Sequence, residues 1–572
     1  MSFGDKHWPR RAIVALVLLL SLAVFFRDAA LSHFTHFYGD SYDGMIEISI
    51  LQHWYDVFVH GSAWSVTGYF HPYPDTISYN DTYFLPALVF TLARLGGSDP
   101  FLAAFVSHVL MKAAGFLGMY VLLRRGAAVR TWLALAGAAI FATANVSLLH
   151  MYHAQLLSVG LVPWLGFTAL RTVQGVFLER PEQIRRFGVG FAVLFGLTAF
   201  NSFYMAWFFA FFTLMFAVVA LVLAGKPGRA SLSVAVQRQY PAVRVVLVAA
   251  LVALVPLLLV YLPRVMEGAH HDWDSGISET VLGGAAFLNV GVGNLVWGQA
   301  LDAGTRALTG HGPLGGEARV GIPYGLLIAT VLALIQAVIQ AGRQRGDNRL
   351  VLMLGCTLVV VIVLMMGWPG GFSIWRYVYQ LVPGANAIRV ITRFLIFALV
   401  PVVFIVVVTL DRTRWRNRAL IPMIAFLLVE QVQMAAPLAM DRARQMAMLA
   451  DVGPPPTACT AFFVVAARRD AAADVAESVS IAHGWSRNRE VKPDLLLKLY
   501  RHNVDAMMIA TYYNVPTING VSTFAPPDWQ FDDPDAPDYV GRVRDYASKH
   551  RLTGLCGLDV RRALHWYGMR KS

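Results

Sequence analysis

The feature that most constrains this chain is a series of long apolar runs separated by short, arginine-bearing loops. The runs cover residues 12–26, 101–123, 131–149, 156–175, 187–203, 204–224, 243–262, 321–341, 350–367, 387–410 and 419–437. A stretch of roughly 20 apolar residues is long enough to cross a bilayer as a helix. In hydrocarbon a helix satisfies its own backbone N–H and C=O groups, which an open strand or a loop does not. With 57% hydrophobic and only 14% charged residues, the chain reads as a polytopic α-helical membrane protein with about 11 transmembrane helices.

The loop charges set the direction of the spans. Lys6, Arg10 and Arg11 precede the first run, which reads as an uncleaved and rather short membrane helix. The loops then alternate between basic and poor in Lys and Arg. The basic ones hold Arg124, Arg125 and Arg130; Arg180, Arg185 and Arg186; Lys226, Arg229, Arg238 and Arg244; Arg343, Arg345 and Arg349; and Arg412, Arg414, Arg416 and Arg418. This is the positive-inside pattern, and one miscounted helix would scramble it. It also accounts for the net charge of +12 as a topology signal. Basic stripes interleaved with aromatics, the footprint of a nucleic-acid binder, are absent. Residues 83–96 are apolar but short and contain Pro86, and are expected to form an interfacial or re-entrant helix.

With the N-terminus cytoplasmic, this topology leaves residues 1–437 as a membrane domain with outer loops 27–100 and 263–320. Residues 438–572 become a small soluble α/β domain on the outer face, the periplasm for a bacterial inner membrane protein. That tail begins with a Pro-rich stretch read as a linker. The runs AFFVVAA and GLCGLDV are its expected strands. Cys459 and Cys556 bracket it, and a disulfide between them suits an oxidising compartment. Unpaired thiols are the alternative.

Four polar clusters sit at the outer ends of the spans. The first loop carries Asp40, Asp43 and Glu47 in GDSYDGMIE. A helix over this stretch would place all three on one face. Capping by Asp40 and Asp43 is the plain reading, and a general base at a helix start is the functional one. The same loop is dense in aromatics and includes His71, Asp75 and Asp81, which suit a membrane surface or sugar stacking. In LLHMYHAQ, His150 and His153 lie one helical turn apart with Gln155 nearby; two histidines alone are a weak metal signal. Arg264 and Glu267 follow a span, ahead of the HHDWD run at 270–274. Arg389 and Arg393 are expected four apart on one face of the tenth span. A charge inside an apolar run needs a polar partner or cavity, and arginine suits phosphate.

These motifs, in this order, resemble the GT-C superfamily of multi-span glycosyltransferases, and more narrowly its YfhO-like bacterial relatives. The acidic GD-x-x-D loop, LLHMYHAQ before a Pro-Trp span, R-x-x-E at Arg264–Glu267, NAIRVITRF and the tail segment PTINGVSTFAPPDW carry the resemblance. It implies transfer of a sugar from a polyprenyl-phosphate-linked donor to a cell-envelope glycan, lipid or protein acceptor, next to membrane lipids and away from nucleic acid. It implies Asp40 first and Asp43 second as the acid that activates the acceptor. Arg264, Glu267, Arg389, Arg393, His150 and His153 are then the expected substrate-binding residues. A divalent cation is left open, with no ligand set assigned. The tail reads NGVSTF where the better-known form is NGYSG, which leaves Asn519 and Gly520 without an assigned role. Two other classes share these features: a flippase for lipid-linked glycans, and a non-catalytic envelope-assembly protein. The large outer segments favour the enzyme.

Overall fold

The computed structural model describes residues 8–151, 153–274, 283–310, 312–313, 317, 319–342, 348–368, 371–413, 417–434, 439–466, 501–560 and 565–568. Each expected span overlaps a helix among its described residues. Among the described residues six helices are long and apolar enough to cross a membrane: Pro100–Gly126, Thr131–Leu149, Ala154–Phe177, Phe203–Arg238, Tyr324–Ala341 and Ile391–Arg412. The pair Tyr240–Ala253 and Val255–Met266, bent by 50°, makes a seventh if counted as one span. By length and composition, then, the structure supplies six or seven spans where eleven were expected. The other four segments are helical but fall short. Arg11–Phe25, Arg349–Met365 and Arg418–Val429 are shorter apolar helices. Pro181–Asn201 is long enough but opens with Glu182, Arg185 and Arg186. Phe84–Leu95 is a short helix, as its length and Pro86 predicted.

Ile391–Arg412 is the axis of the bundle, with 94% of its apolar window buried, against 22% for Phe203–Arg238 and for Tyr324–Ala341. Several of the arginine-bearing loops contact one another at one end of the bundle. At one end Arg130 Nε lies 2.6 Å from Asp411 Oδ1, Arg412 donates to Asn348 at 2.6 Å, and Arg238 pairs with Glu179 at 2.6 Å. Loops expected on one side are thus in contact. The described residues of segments 27–100 and 263–320 and of the tail meet at the opposite end.

The tail is built onto the first loop. Strand β1 (His36–Tyr38) pairs antiparallel with β2 (Ala439–Asp441), and Arg442 clasps Asp99, with Nε to Oδ2 at 2.8 Å. The stretch read as a linker is largely a helix, Arg442–Val452, because Asp441 caps it by accepting from the Arg444 N–H at 3.0 Å. The two expected strands are present: β3 (Ala461–Ala466) runs parallel to β4 (Leu555–Asp559), which pairs antiparallel with β5 (His565–Gly568). Cys459 and Cys556 are bonded, with Cα atoms 5.6 Å apart. Helix His502–Tyr513 packs against helix Asp43–His60. Met507, Met508, Phe462 and Leu449 share one apolar core with Ile50, Leu51, Phe70 and Phe105. Backbone bonds seal the joint: Phe70 N–H to Asn519 O at 3.0 Å, His71 N–H to Thr517 O at 2.9 Å and Thr517 N–H to Gly68 O at 2.8 Å.

Candidate active site

The site begins at the turn that the first acidic motif makes. Gly39 takes φ +124°, a region that favours glycine. Asp40 Oδ1 then accepts the N–H groups of Tyr42 and Gly44, both at 3.0 Å. Helix Asp43–His60 starts there. The three acids therefore do not share a face. Asp40 is before the helix and 3% exposed, anchoring the turn. Glu47 is buried and faces His108 Nε2 at 2.8 Å. Asp43, whose side chain is 40% exposed, is the one that looks outward.

Asp43 meets the histidine corner. The 131–149 segment ends in a short helix, Asn145–Leu149, and the chain turns before a 3-10 helix at Ala154–Leu161. The corner is fixed by Asn145, which donates from Nδ2 to Val290 O at 2.9 Å. His150 and His153 sit in this turn, not on one helical face, yet both ring edges reach the same carboxylate. His153 Nδ1 lies 2.7 Å from Asp43 Oδ2, and its Nε2 lies 2.8 Å from Glu317 Oε1. His150 Nδ1 is 3.0 Å from Val146 O, and its Nε2 is 3.7 Å from Glu317 Oε2.

Arg393 closes the row. Its Nη2 pairs with Glu317 Oε1, and its Nε donates to Oε2 at 3.3 Å. The guanidinium lies over the Tyr204 ring, 5.2 Å from the centroid. Tyr204 Oη in turn accepts the backbone N–H groups of Arg389 and Val390, at 3.1 and 3.2 Å. Tyr204 is itself placed by Asp81, whose buried carboxylate accepts the Phe203 N–H at 2.9 Å at the start of the long helix. The expectation that Arg389 and Arg393 lie on one helix face is corrected. Residues 388–390 are extended, Ile391–Arg393 is a 3-10 turn and the α-helix runs Phe394–Arg412. Tyr204 holds the non-helical lead-in that carries Arg389. Arg389 is still close enough for its charge to act on Asp43 and on His271.

The row Asp43–His153–Glu317–Arg393 thus alternates in sign, and its pKa values follow. Burial would raise Asp43, but His153, Arg393 and Arg389 outweigh it and hold the carboxyl below its ordinary value. Glu317 is held well below its own, burial being outweighed by Arg393 and then His153. His153 moves the other way. Burial and Arg393 disfavour its charge, but the carboxylates of Glu317 and Asp43 prevail and raise it. Burial dominates at His150 and lowers it to about 4. Burial also raises Asp81 to about 6, against the Phe203 N–H and the Arg393 charge. The row therefore sets two carboxylates held low against a guanidinium and an imidazole whose charged form those carboxylates favour.

Arg264 and Glu267 pair with each other at 2.6 Å. Arg264 also donates to Tyr79 Oη at 2.7 Å and lies over that ring. They form a second cation group, where the first loop meets the tail through a Ser522 Oγ bond to Tyr79 O. Of the HHDWD run, the His271 ring lies against Phe524 of the tail, tilted by 31° with centroids 5.1 Å apart, and Trp273 is buried against Tyr379. Gln155 accepts from Tyr83 Oη at 3.1 Å. Asn519 is structural: its Oδ1 accepts the Val464 N–H at 2.8 Å and its Nδ2 donates to Asn503 Oδ1 at 2.9 Å. Among the described residues no group of three His, Cys, Asp or Glu side chains is placed to hold a metal ion.

Glu317 and Tyr204 were missed in the sequence. Tyr204 carried no signal among the aromatics of its span. Glu317 did carry one, as an acid in a Gly/Pro-rich stretch just ahead of a span.

No protein-family model matches the chain, and no curated protein matches it. Among solved structures it is similar to the apo oligosaccharyltransferase of Archaeoglobus fulgidus, at 11% identity and TM-score 0.49, over 98% of this chain and 70% of that one. The same enzyme tethered to an acceptor peptide containing the NVT sequon gives 12% and 0.48, with the same coverage. Arabinofuranosyltransferase AftD from Mycobacteria gives 15% and 0.45, over 82% of this chain and 30% of that one. By name, both enzymes transfer sugars.

Proposed function

We propose that the chain is a membrane glycosyltransferase that moves a sugar from a polyprenyl-phosphate-linked donor to an acceptor hydroxyl at the outer face. The observation that carries this reading is the row Asp43–His153–Glu317–Arg393. Four separate segments bring it together where apolar helices end, with a half-exposed carboxylate at one end. A cation group at headgroup depth suits a lipid phosphate. The Cys459–Cys556 bond fits an oxidising outer compartment.

The step follows from the charges. The acceptor oxygen attacks the anomeric carbon as the bond from that carbon to the phosphate oxygen breaks. The bonding pair leaves on the phosphate, facing Arg389 and Arg393. Asp43 accepts the hydroxyl proton. A carboxylate held low is a weak ground-state base, but an oxocarbenium-like centre acidifies the attacking hydroxyl, so the proton moves late. His153, whose charged form Glu317 and Asp43 favour, keeps Asp43 ionised and oriented. Attack opposite the phosphate inverts the anomeric centre. This assigns the base to Asp43 ahead of Asp40, whose carboxylate is turned to the helix start.

The test is purified protein in nanodiscs offered a panel of labelled polyprenyl-phosphate sugars and hydroxyl acceptors. Release of polyprenyl phosphate coupled to a glycosylated product supports the reading. Movement of the intact lipid between leaflets with no bond cleavage would replace it with transport.

A further inference from the structure

The carboxylate of Glu317 occupies a built anion site. It receives two contacts from the Arg393 fork and one from His153 Nε2, and Arg393 is buried with a side chain only 4% exposed. Arg319 adds a charge that acts on His150. These are the donors that suit a tetrahedral phosphate, since arginine and imidazolium bind carboxylate and phosphate alike. His150 lines the same site, with Nδ1 3.0 Å from Val146 O and Nε2 3.7 Å from Glu317 Oε2.

We infer that Glu317 is an internal stand-in for a substrate phosphate, so that phosphate binding at Arg393 and His153 requires Glu317 to leave. This rests on the reading above that Arg393 holds the donor phosphate. The consequence is a competition within the chain. A tethered side chain competes at an effective concentration on the order of millimolar, so the empty site is kept neutralised and an anion must displace Glu317 to enter.

The experiment measures binding and needs no sugar donor. Inorganic phosphate and dodecyl phosphate are titrated separately into nanodisc-embedded wild type, Glu317→Gln and a control, Asp302→Asn, whose carboxylate is paired with Arg306 elsewhere. Glu317→Gln is expected to bind phosphate about tenfold or more tightly than wild type, with Asp302→Asn unchanged. Tightening for both probes marks a site for phosphate itself; tightening for dodecyl phosphate alone marks a lipid headgroup site. Unchanged affinity for both, or equal tightening in the control, overturns the inference. If Glu317→Gln is unstable, phosphate but not chloride at equal ionic strength should restore its unfolding temperature, and failure of that rescue also overturns it. Tightening without turnover in wild type would leave this inference standing and sink the transferase.

Discussion

Asp43 and Asp40 are three residues apart, one part-exposed beside His153 and the other buried at the helix start, so on the proposed reading replacing each by asparagine separates chemistry from folding. Asp43→Asn removes the charge proposed to take the acceptor proton and weakens the hold on His153. If Asp43 takes the acceptor proton, its loss should cost about 10²–10⁴ in turnover, or roughly 3–5 kcal/mol in the barrier. Its effect on folding should be small. The Asp43–His153 pair is at 2.7 Å, but the carboxylate is 40% exposed, and solvent-screened pairs of this kind contribute at most about 1 kcal/mol. Asp40→Asn should do the reverse. Asp40 is 3% exposed and accepts two backbone N–H groups. Asparagine keeps one acceptor oxygen and loses the charge, which should destabilise by about 1–2 kcal/mol while leaving turnover within about tenfold. The assay pairs lipid-phosphate release with thermal unfolding in the same nanodiscs. Asp43→Asn turning over within about threefold of wild type, with unfolding unchanged, would refute the assignment, because a proton acceptor in the reaction cannot be that dispensable.

The pH dependence follows from the row. The His153 pKa is raised, so its contribution is complete below about pH 6.5 and is lost as pH rises through the raised value. Asp43 and Glu317 are lowered, so theirs is complete above about pH 4.5 and is lost as pH falls through their lowered values. Turnover and unfolding temperature should therefore both show an alkaline limb, and His153→Gln should abolish that limb in the residual activity. Replacing Cys459 and Cys556 together by serine opens a loop of 97 residues, expected to cost about 4–5 kcal/mol by chain entropy; faster proteolysis of the tail in intact protein would register it. Gly520→Ala would push a methyl to 2.7 Å from the buried Phe70 ring, costing about 1–3 kcal/mol at the tail joint and lowering its hydrogen-exchange protection.

Much of the architecture was written in local pattern. Apolar runs near bilayer length become helices because hydrocarbon admits few other backbone solutions. Strands β3 and β4 were visible as short apolar runs in a polar tail, and the two cysteines bracketed the pair they now staple. Arg130, Asp411, Arg412 and Asn348 meet at one end because loop charge orders the ends of spans. Segments such as Arg349–Met365 show the limit of the same rule, since an apolar run does not by itself state how much of it is helix or how far it crosses.

The site was legible only as a set of candidates. Sequence alone placed Asp43, His150, His153, Arg389 and Arg393 at the ends of apolar segments, where an unpaired charge is costly and needs a partner. It did not choose between Asp40 and Asp43, because that depended on where the helix begins, and a turn stabilised by Asp40 moved the start to Asp43. Nor did it find Glu317, which is 164 positions from His153 and 76 from Arg393 in sequence. Tertiary structure decided both. Ion pairing in a low-dielectric region selects partners by distance in space, and that distance is set by how the helices pack.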